Sequence, residues 1–142
     1  MQSRSTTVVS VLLHSAFGVI GGLAYMVIEI LWRGHTHWSM GVLGGLCFVF
    51  IGLQDEMQKH PPLWIQMVQG AAIVTWLEFF TGLIVNVWLG LDVWDYSDMP
   101  GNLMGQVCPQ FSVAWFFLSA AAIKLENELH RVAEWIAHRR GR

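Results

Sequence analysis

Charge is what this chain has least of. Only 13% of its 142 residues are Asp, Glu, Lys or Arg, about half of the ~25% usual in a soluble domain. The net charge is −2, so the chain has no basic footprint for nucleic acid, and no nucleic-acid partner is expected. Cysteine is scarce. Cys47 and Cys108 fall on different elements, with no Cys-x-x-Cys or Cys/His pattern. A disulfide framework and a structural zinc are not expected, and both thiols read as small apolar fillers. No Gly-x-x-x-x-Gly-Lys-Ser/Thr loop occurs, so the chain has no phosphate-binding loop of that type. Nor is there a Ser/His/Asp set, a His-rich cluster or a paired acid and base. The chain is not read as an enzyme, and no cofactor or bound metal is expected.

Apolar residues fill the space that charge leaves. They make up 54% of the chain, with eight tryptophans and a mean hydropathy of +0.47. Trp favours bilayer interfaces, where its half-polar ring meets both solvents. The central stretch, residues 61–91, contains one formally charged side chain, Glu78, near its middle. About 20 apolar residues suffice to cross a bilayer as a helix. An ionisable group halfway across costs at least ~2.5 kcal/mol and is a functional-site hypothesis by default.

The pattern predicts an all-α integral membrane protein forming one membrane domain over 1–142. Four transmembrane helices are expected at 6–32, 38–54, 63–91 and 106–124, with an amphipathic tail at 125–142. The first run, after Arg4, is long enough to span, so it is read as a retained helix and not a cleaved leader. On it Ser15, Gly18, Gly22, Tyr25 and Glu29 share one face, while Ile20, Val27 and Leu31 lie opposite. Small residues let a neighbouring helix approach closely. Glu29 and Arg33 are placed i,i+4 for an ion pair, which serves either as a structural tie or as a site for a polar ligand at the membrane surface. In the second helix Gly41, Gly45 and Gly52 line one side, and either this glycine face or the small face of the first helix is the expected dimer contact. In the third, Ala71, Thr75, Glu78, Gly82 and Asn86 form a small-polar stripe opposite Trp76, Phe80, Ile84 and Val87. Glu78 should therefore face protein, either proton-bearing or paired with a cation from another helix.

Between the third and fourth helices lie Asp92, Asp95 and Asp98, with Trp94 and Tyr96. Carboxylates spaced by three suit a hard cation such as Ca²⁺ or simply solvated turns. Trp94 and Tyr96 read as interface anchors. The tail sets Leu125, Leu129, Val132 and Ile136 among charged residues, a pattern for the membrane surface or a partner helix. Four spans put both termini on one side, together with Arg4, Lys59, Lys124, Arg131, Arg139, Arg140 and Arg142. These are seven of the eight basic residues. Basic residues stay on the cytoplasmic side, so the expected orientation is N-in, C-in, across a bacterial inner membrane.

Several segments carry a family resemblance. They are Ile28-Glu-Ile-Leu-Trp-Arg-Gly-His-Thr-His-Trp-Ser-Met40, Gly44-Gly45, Leu77-Glu-Phe-Phe-Thr-Gly82, Val93-Trp-Asp-Tyr-Ser97 and Asn102-Leu-Met-Gly105. Over about residues 18–123 the chain resembles the ABC-transporter type IV (CmpB-like) membrane family, with the tail outside the matching region. The resemblance implies a multi-pass helical membrane protein, and any ATP-driven role would need a separate ATPase subunit. Two functional readings are compatible with it. One is a transport-associated, permease-like component that binds or moves a small solute or ion. Its candidate residues are Glu78, Glu29, Arg33, Asn86 and Asp95, and its pathway would form within a homodimer. The other is a structural or regulatory subunit that organises a larger assembly and transports nothing itself.

Overall fold

The computed structural model describes residues 2–59 and 61–140, so Arg142 at the end of the expected tail lies outside them. Among the described residues the fold is all-helical, apart from one isolated bridge between Leu103 and Val107. There are four helices: α1 (Gln2–Arg33), α2 (Trp38–Met57), α3 (Leu63–Gly82) and α4 (Pro109–Arg140). α3 runs on without a break into a π-helical segment, Leu83–Trp88. Two helical stretches are long and apolar enough to cross a membrane, Val9–Arg33 and Leu63–Trp88, while Trp38–Gln54 is apolar but shorter.

The helices pair as two antiparallel hairpins. In the first, α1 and α2 close on their glycines. A Cβ on Gly22 would lie 2.5 Å from the Gly41 carbonyl, and one on Gly45 would lie 2.7 Å from the Gly18 carbonyl. That is backbone-to-backbone packing, reachable only when both partners lack a side chain. The glycine faces expected to meet a second copy are therefore spent inside one chain. Between the two helices His37 supplies an unusual N-cap, its Nδ1 accepting from the Ser39 amide at 3.2 Å. That role, and the hydrogen bond from Arg33 to His35 Nε2 at 3.1 Å, account for a His-x-His pair that spacing alone leaves unexplained.

In the second hairpin α3 turns Gln66, Gly70, Val74, Glu78 and Gly82 inward, one residue every four. Gly70 sits against Ser119, and Thr75 and Ser112 share a hydrogen bond of 2.8 Å. The hairpins meet through α2 and α3 around Leu43, Cys47, Ile51, Val74 and Ile123. α1 and α4 touch mainly through two ring contacts, Phe17 with His130 (4.9 Å) and Tyr25 with Trp115 (5.7 Å). Between those contacts the bundle is open.

Polarity is distributed inside out. Ser39, Gln54, Gln66, Glu78, Gln106, Ser119 and Glu126 are buried. Outward stand Val27 and Leu31 on α1, Val42 and Leu46 on α2, Trp76 and Phe80 on α3, and Val113 and Phe117 on α4. In water this arrangement would expose far more contiguous apolar surface than a soluble monomer carries.

The segment expected at 106–124 and the tail expected at 125–142 form one uninterrupted helix that begins at Pro109, which suits a first helical turn where its missing N–H costs nothing. Of the two settings expected for the tail, the structure shows packing on other helices. The distal part of this helix stands beside the middle of α1 and the end of α2, through Phe17–His130 and the packing of Glu126 on Gly52. One expectation is corrected at Trp94. Trp94 is no interface anchor: it is 5% exposed and donates from Nε1 to the Gln106 carbonyl at 2.9 Å. The exposed helix-end tryptophans are Trp32, Trp38 and Trp88 on the side of the aspartates and Trp64 on the other.

Candidate functional site

Glu78 lies in the middle of the helical bundle and is 1% exposed. Both oxygens are held. Tyr96 donates its hydroxyl to Oε1 at 3.0 Å, and Trp115 donates Nε1 to Oε2 at 3.1 Å. One partner comes from the loop before α4 and the other from α4 itself. Each carboxylate oxygen accepts about two hydrogen bonds when ionised, so acceptor capacity remains on both. The donors are neutral. Among the described residues the ion pairs are Glu29–Arg33, Glu126–His130 and Glu128–Arg131, so no cation answers this carboxyl there.

The loop of residues 89–108 reaches Glu78 because the end of α3 is unwound by the π segment. A π-turn takes an extra residue per turn and rotates the next part of the chain about the helix axis; such turns are rare and recur at functional sites. Here the Leu89 amide bonds the Ile84 carbonyl at 2.9 Å, and the Leu91 amide bonds that of Val85 at 2.9 Å. Asn86, inside the segment, accepts from the amides of Val93 (2.7 Å) and Trp94 (3.4 Å) and donates to Gln106 Oε1 (2.9 Å). The loop therefore folds down over the bundle instead of trailing into solvent. Asn102 ties its far side, donating to the carbonyls of Ser97 and Met99 and accepting from the Gly105 amide. Gly105 has φ +70°, and a Cβ there would lie 2.5 Å from Ser97 Oγ, so only glycine fits. The Tyr96 amide donates to the Gly105 carbonyl at 2.8 Å and its ring stacks on Phe111 at 4.7 Å, which aims the hydroxyl at Glu78. Burial and the nearby Glu78 push the Tyr96 phenol above its ordinary range, so it stays a donor.

The other candidates fall into place around this core. Glu29 pairs with Arg33 at 3.4 Å and accepts from the Tyr25 hydroxyl at 3.4 Å. Arg33 also donates to the Val93 carbonyl at 2.9 Å, clamping the loop to the end of α1. Asn86 belongs to the same loop network, with its oxygen on two backbone amides and one side-chain N–H on Gln106. Asp95 stands apart, exposed, accepting from the Ser97 amide and hydroxyl; these bonds hold its carboxyl below the usual carboxylate range. Asp92 and Asp98 are exposed as well, and among the described residues no three His, Cys, Asp or Glu side chains converge on a metal-sized site.

A cavity of about 170 Å³ runs from Glu78 toward the gap between α1 and α4. Its deep wall is Gly21, Leu43, Cys47, Ile51, Val74 and Trp115, and its outer rim includes Ala24, Leu118 and Ala121. None of the loop residues 89–108 lines it.

A model of the family described as Putative ABC-transporter type IV matches residues 4–140. The chain belongs to that family. The match takes in the distal half of α4 as well, so the tail expected to lie outside the family pattern is part of it. No curated protein and no solved structure matches the chain. Membership and the two apolar helices make this a membrane protein of a transport-associated family. The segments that carry the resemblance are also those that build the site: Glu78 and Gly82 on α3, Trp94 and Tyr96 in the loop, and the turn from Asn102 to Gly105.

Sequence reasoning located Glu78 and turned it inward. It missed both of its partners. Tyr96 read as an anchor because a Tyr beside aspartates is usually at an interface, and Trp115 lay unremarked in an apolar run. Gln106, a polar residue in the loop where the fourth span was expected to begin, was the available signal that the loop closes inward.

Proposed function

We propose that this chain is a four-span inner-membrane component, with both termini cytoplasmic, that serves a transport system by holding a small solute or ion at Glu78. The observation that carries this reading is a carboxyl group in the centre of a helix bundle, bonded among the described residues by neutral donors alone and opening on a cavity. Buried ionisable groups at membrane depth mark ion and substrate pathways. The four-span topology is supported by the outward apolar faces of all four helices and by Trp64 and Trp88. These two lie at most ~36 Å apart along α3 and the π segment that continues it, taking 1.5 Å per residue, a spacing that sets both rings near the interfaces of a ~30 Å hydrocarbon core. The side bearing most of the basic residues is assigned to the cytoplasm. Energy from ATP would be supplied by a separate ATPase subunit. The interior is too well filled for a continuous lumen, so a path across the membrane forms between two copies. With the glycines of α1 and α2 engaged, those copies meet through other outward faces.

A second reading has its own support. Tyr96 and Trp115 bind the loop and α4 to α3 through Glu78, so the carboxyl serves equally well as the fastener of a purely structural subunit. Reconstituted vesicles separate the two. Glu78→Gln keeps a side chain of the same size and is expected to leave expression and assembly intact while abolishing a proton- or cation-coupled flux. A native protein with no such flux, or a variant that transports normally, would favour the fastener.

A further inference from the structure

The access route to Glu78 is not symmetric. On the side of the aspartates the loop covers it with Val93, Trp94 and Gln106, all buried, and Tyr96 fills the space directly above the carboxyl. On the flank the two ring contacts between α1 and α4 frame a window. Phe17 and Tyr25 are eight residues apart on α1, and Trp115 and His130 fifteen apart on α4, so the window is ~12 Å tall along one edge and ~22 Å along the other at 1.5 Å per residue. Its rim is small or outward-facing: Ala24 and Ala121, with Leu118 exposed. The face in which it opens is apolar, the side that meets hydrocarbon in the four-span arrangement.

From this the geometry points to a ligand that reaches Glu78 from within the bilayer: a lipophilic ammonium compound, bound with its N–H group on the carboxyl and its apolar body in the cavity. The inference rests on Glu78 being a ligand-binding group. Four observations define the ligand class. The enclosed walls are apolar, so the body must be apolar. The carboxyl has acceptor capacity left on both oxygens, and no cation among the described residues pairs with it, so the head must be a cationic donor, which makes the stronger kind of hydrogen bond. At 170 Å³ the cavity is close to the ~150 Å³ engineered void that accepts benzene, so the enclosed part is one ring or a short branched chain. Any longer tail leaves through the window into lipid. Finally, no Lys, Arg or His lines the cavity, so the phosphate of an aminophospholipid would be buried without a partner. A lipid headgroup is a poor fit on that ground.

The test uses the full chain in phosphatidylcholine nanodiscs, with N-dodecylbenzylammonium as the probe and benzyl dodecyl ether as its uncharged counterpart. Binding is read as saturation of the tryptophan fluorescence change against mole fraction in lipid. The ammonium should half-saturate at a level at least about tenfold below the ether, the scale of one charge-assisted hydrogen bond. Glu78→Gln should bring the ammonium to the ether's level and leave the ether unmoved. Ala121→Phe, on the exposed rim, should weaken both probes at least about tenfold with Glu78 intact, and it serves if Glu78→Gln does not fold. Replacing a third of the lipid with phosphatidylethanolamine should change nothing. Equal binding of the two probes, an ammonium insensitive to either variant, or competition by phosphatidylethanolamine would each overturn the proposal. A Glu78-dependent flux with no ammonium preference would sink this inference and spare the proposed transport role. Ammonium binding lost in Glu78→Gln, with no flux in the native protein, would do the opposite.

Discussion

Glu78 shows how one side chain can be both plain in the sequence and incomplete there. Its position was legible because a carboxyl in the middle of 31 otherwise uncharged residues has few tolerable settings, and the small residues at Ala71, Thr75 and Gly82 mark which side is inward. What holds it was not legible. Tyr96 and Trp115 lie 18 and 37 residues further on, and no periodicity connects a helix to a loop that turns back on it. The two hydrogen bonds set an ordering of variants. Glu78→Gln can accept from Trp115 and donate to the Tyr96 oxygen, so stability should change by less than about 1 kcal/mol. Glu78→Ala strands two buried donors and enlarges the cavity, and should cost roughly 2–4 kcal/mol. Unfolding in mild detergent gives both values. A Glu78→Gln variant as unstable as Glu78→Ala would mean that the negative charge itself holds the bundle.

Among elements, the helices were largely readable and the connection between the last two was not. α1, α2 and α3 begin and end close to where apolar runs and Gly or Pro signals place them. The error lay in residues 83–108. A π segment has no composition signal, since Leu83–Trp88 reads as ordinary apolar helix, and without its shift Asn86 would not meet Val93 and Trp94. Pattern alone therefore makes Trp94 and Tyr96 interface anchors and Gln106 a helix start, although Trp94 and Gln106 are buried and Tyr96 reaches Glu78. Asn86 carries the consequence. Asn86→Ala removes three hydrogen bonds, so the amides of Val93 and Trp94 should exchange with deuterium at least about tenfold faster, while those in the middle of α1 and α2 keep their protection. Uniformly faster exchange would show that the loop is not a separate unit. The glycine pairs misled in another way: Gly41-x-x-x-Gly45 announces close packing, but not whether the partner is the same chain or a copy.

For the whole molecule, the decisive feature is the reversal of polarity between inside and outside, and hydropathy alone carried it. The orientation rests on charge: Arg33 and three aspartates on one side, most of the basic residues on the other. Single cysteines at Asp98 and Arg139, in a background with Cys47 and Cys108 replaced by Ala or Ser, should report opposite faces. In intact cells an impermeant maleimide should label position 98 and not position 139, and permeabilised cells should label both. The reverse pattern would invert the topology, and labelling of both in intact cells would remove the four-span arrangement.

The continuity of α4 has a mechanical meaning. A helix of 32 residues is a rod ~48 Å long at 1.5 Å per residue. It carries Trp115 partway along and a basic cluster at Arg139 and Arg140. With no joint between them, a partner gripping the basic end cannot move it without also moving the indole that steadies Glu78. Any torque delivered by a neighbour at that end thus arrives at the carboxyl by leverage alone, with no signal relayed through loops.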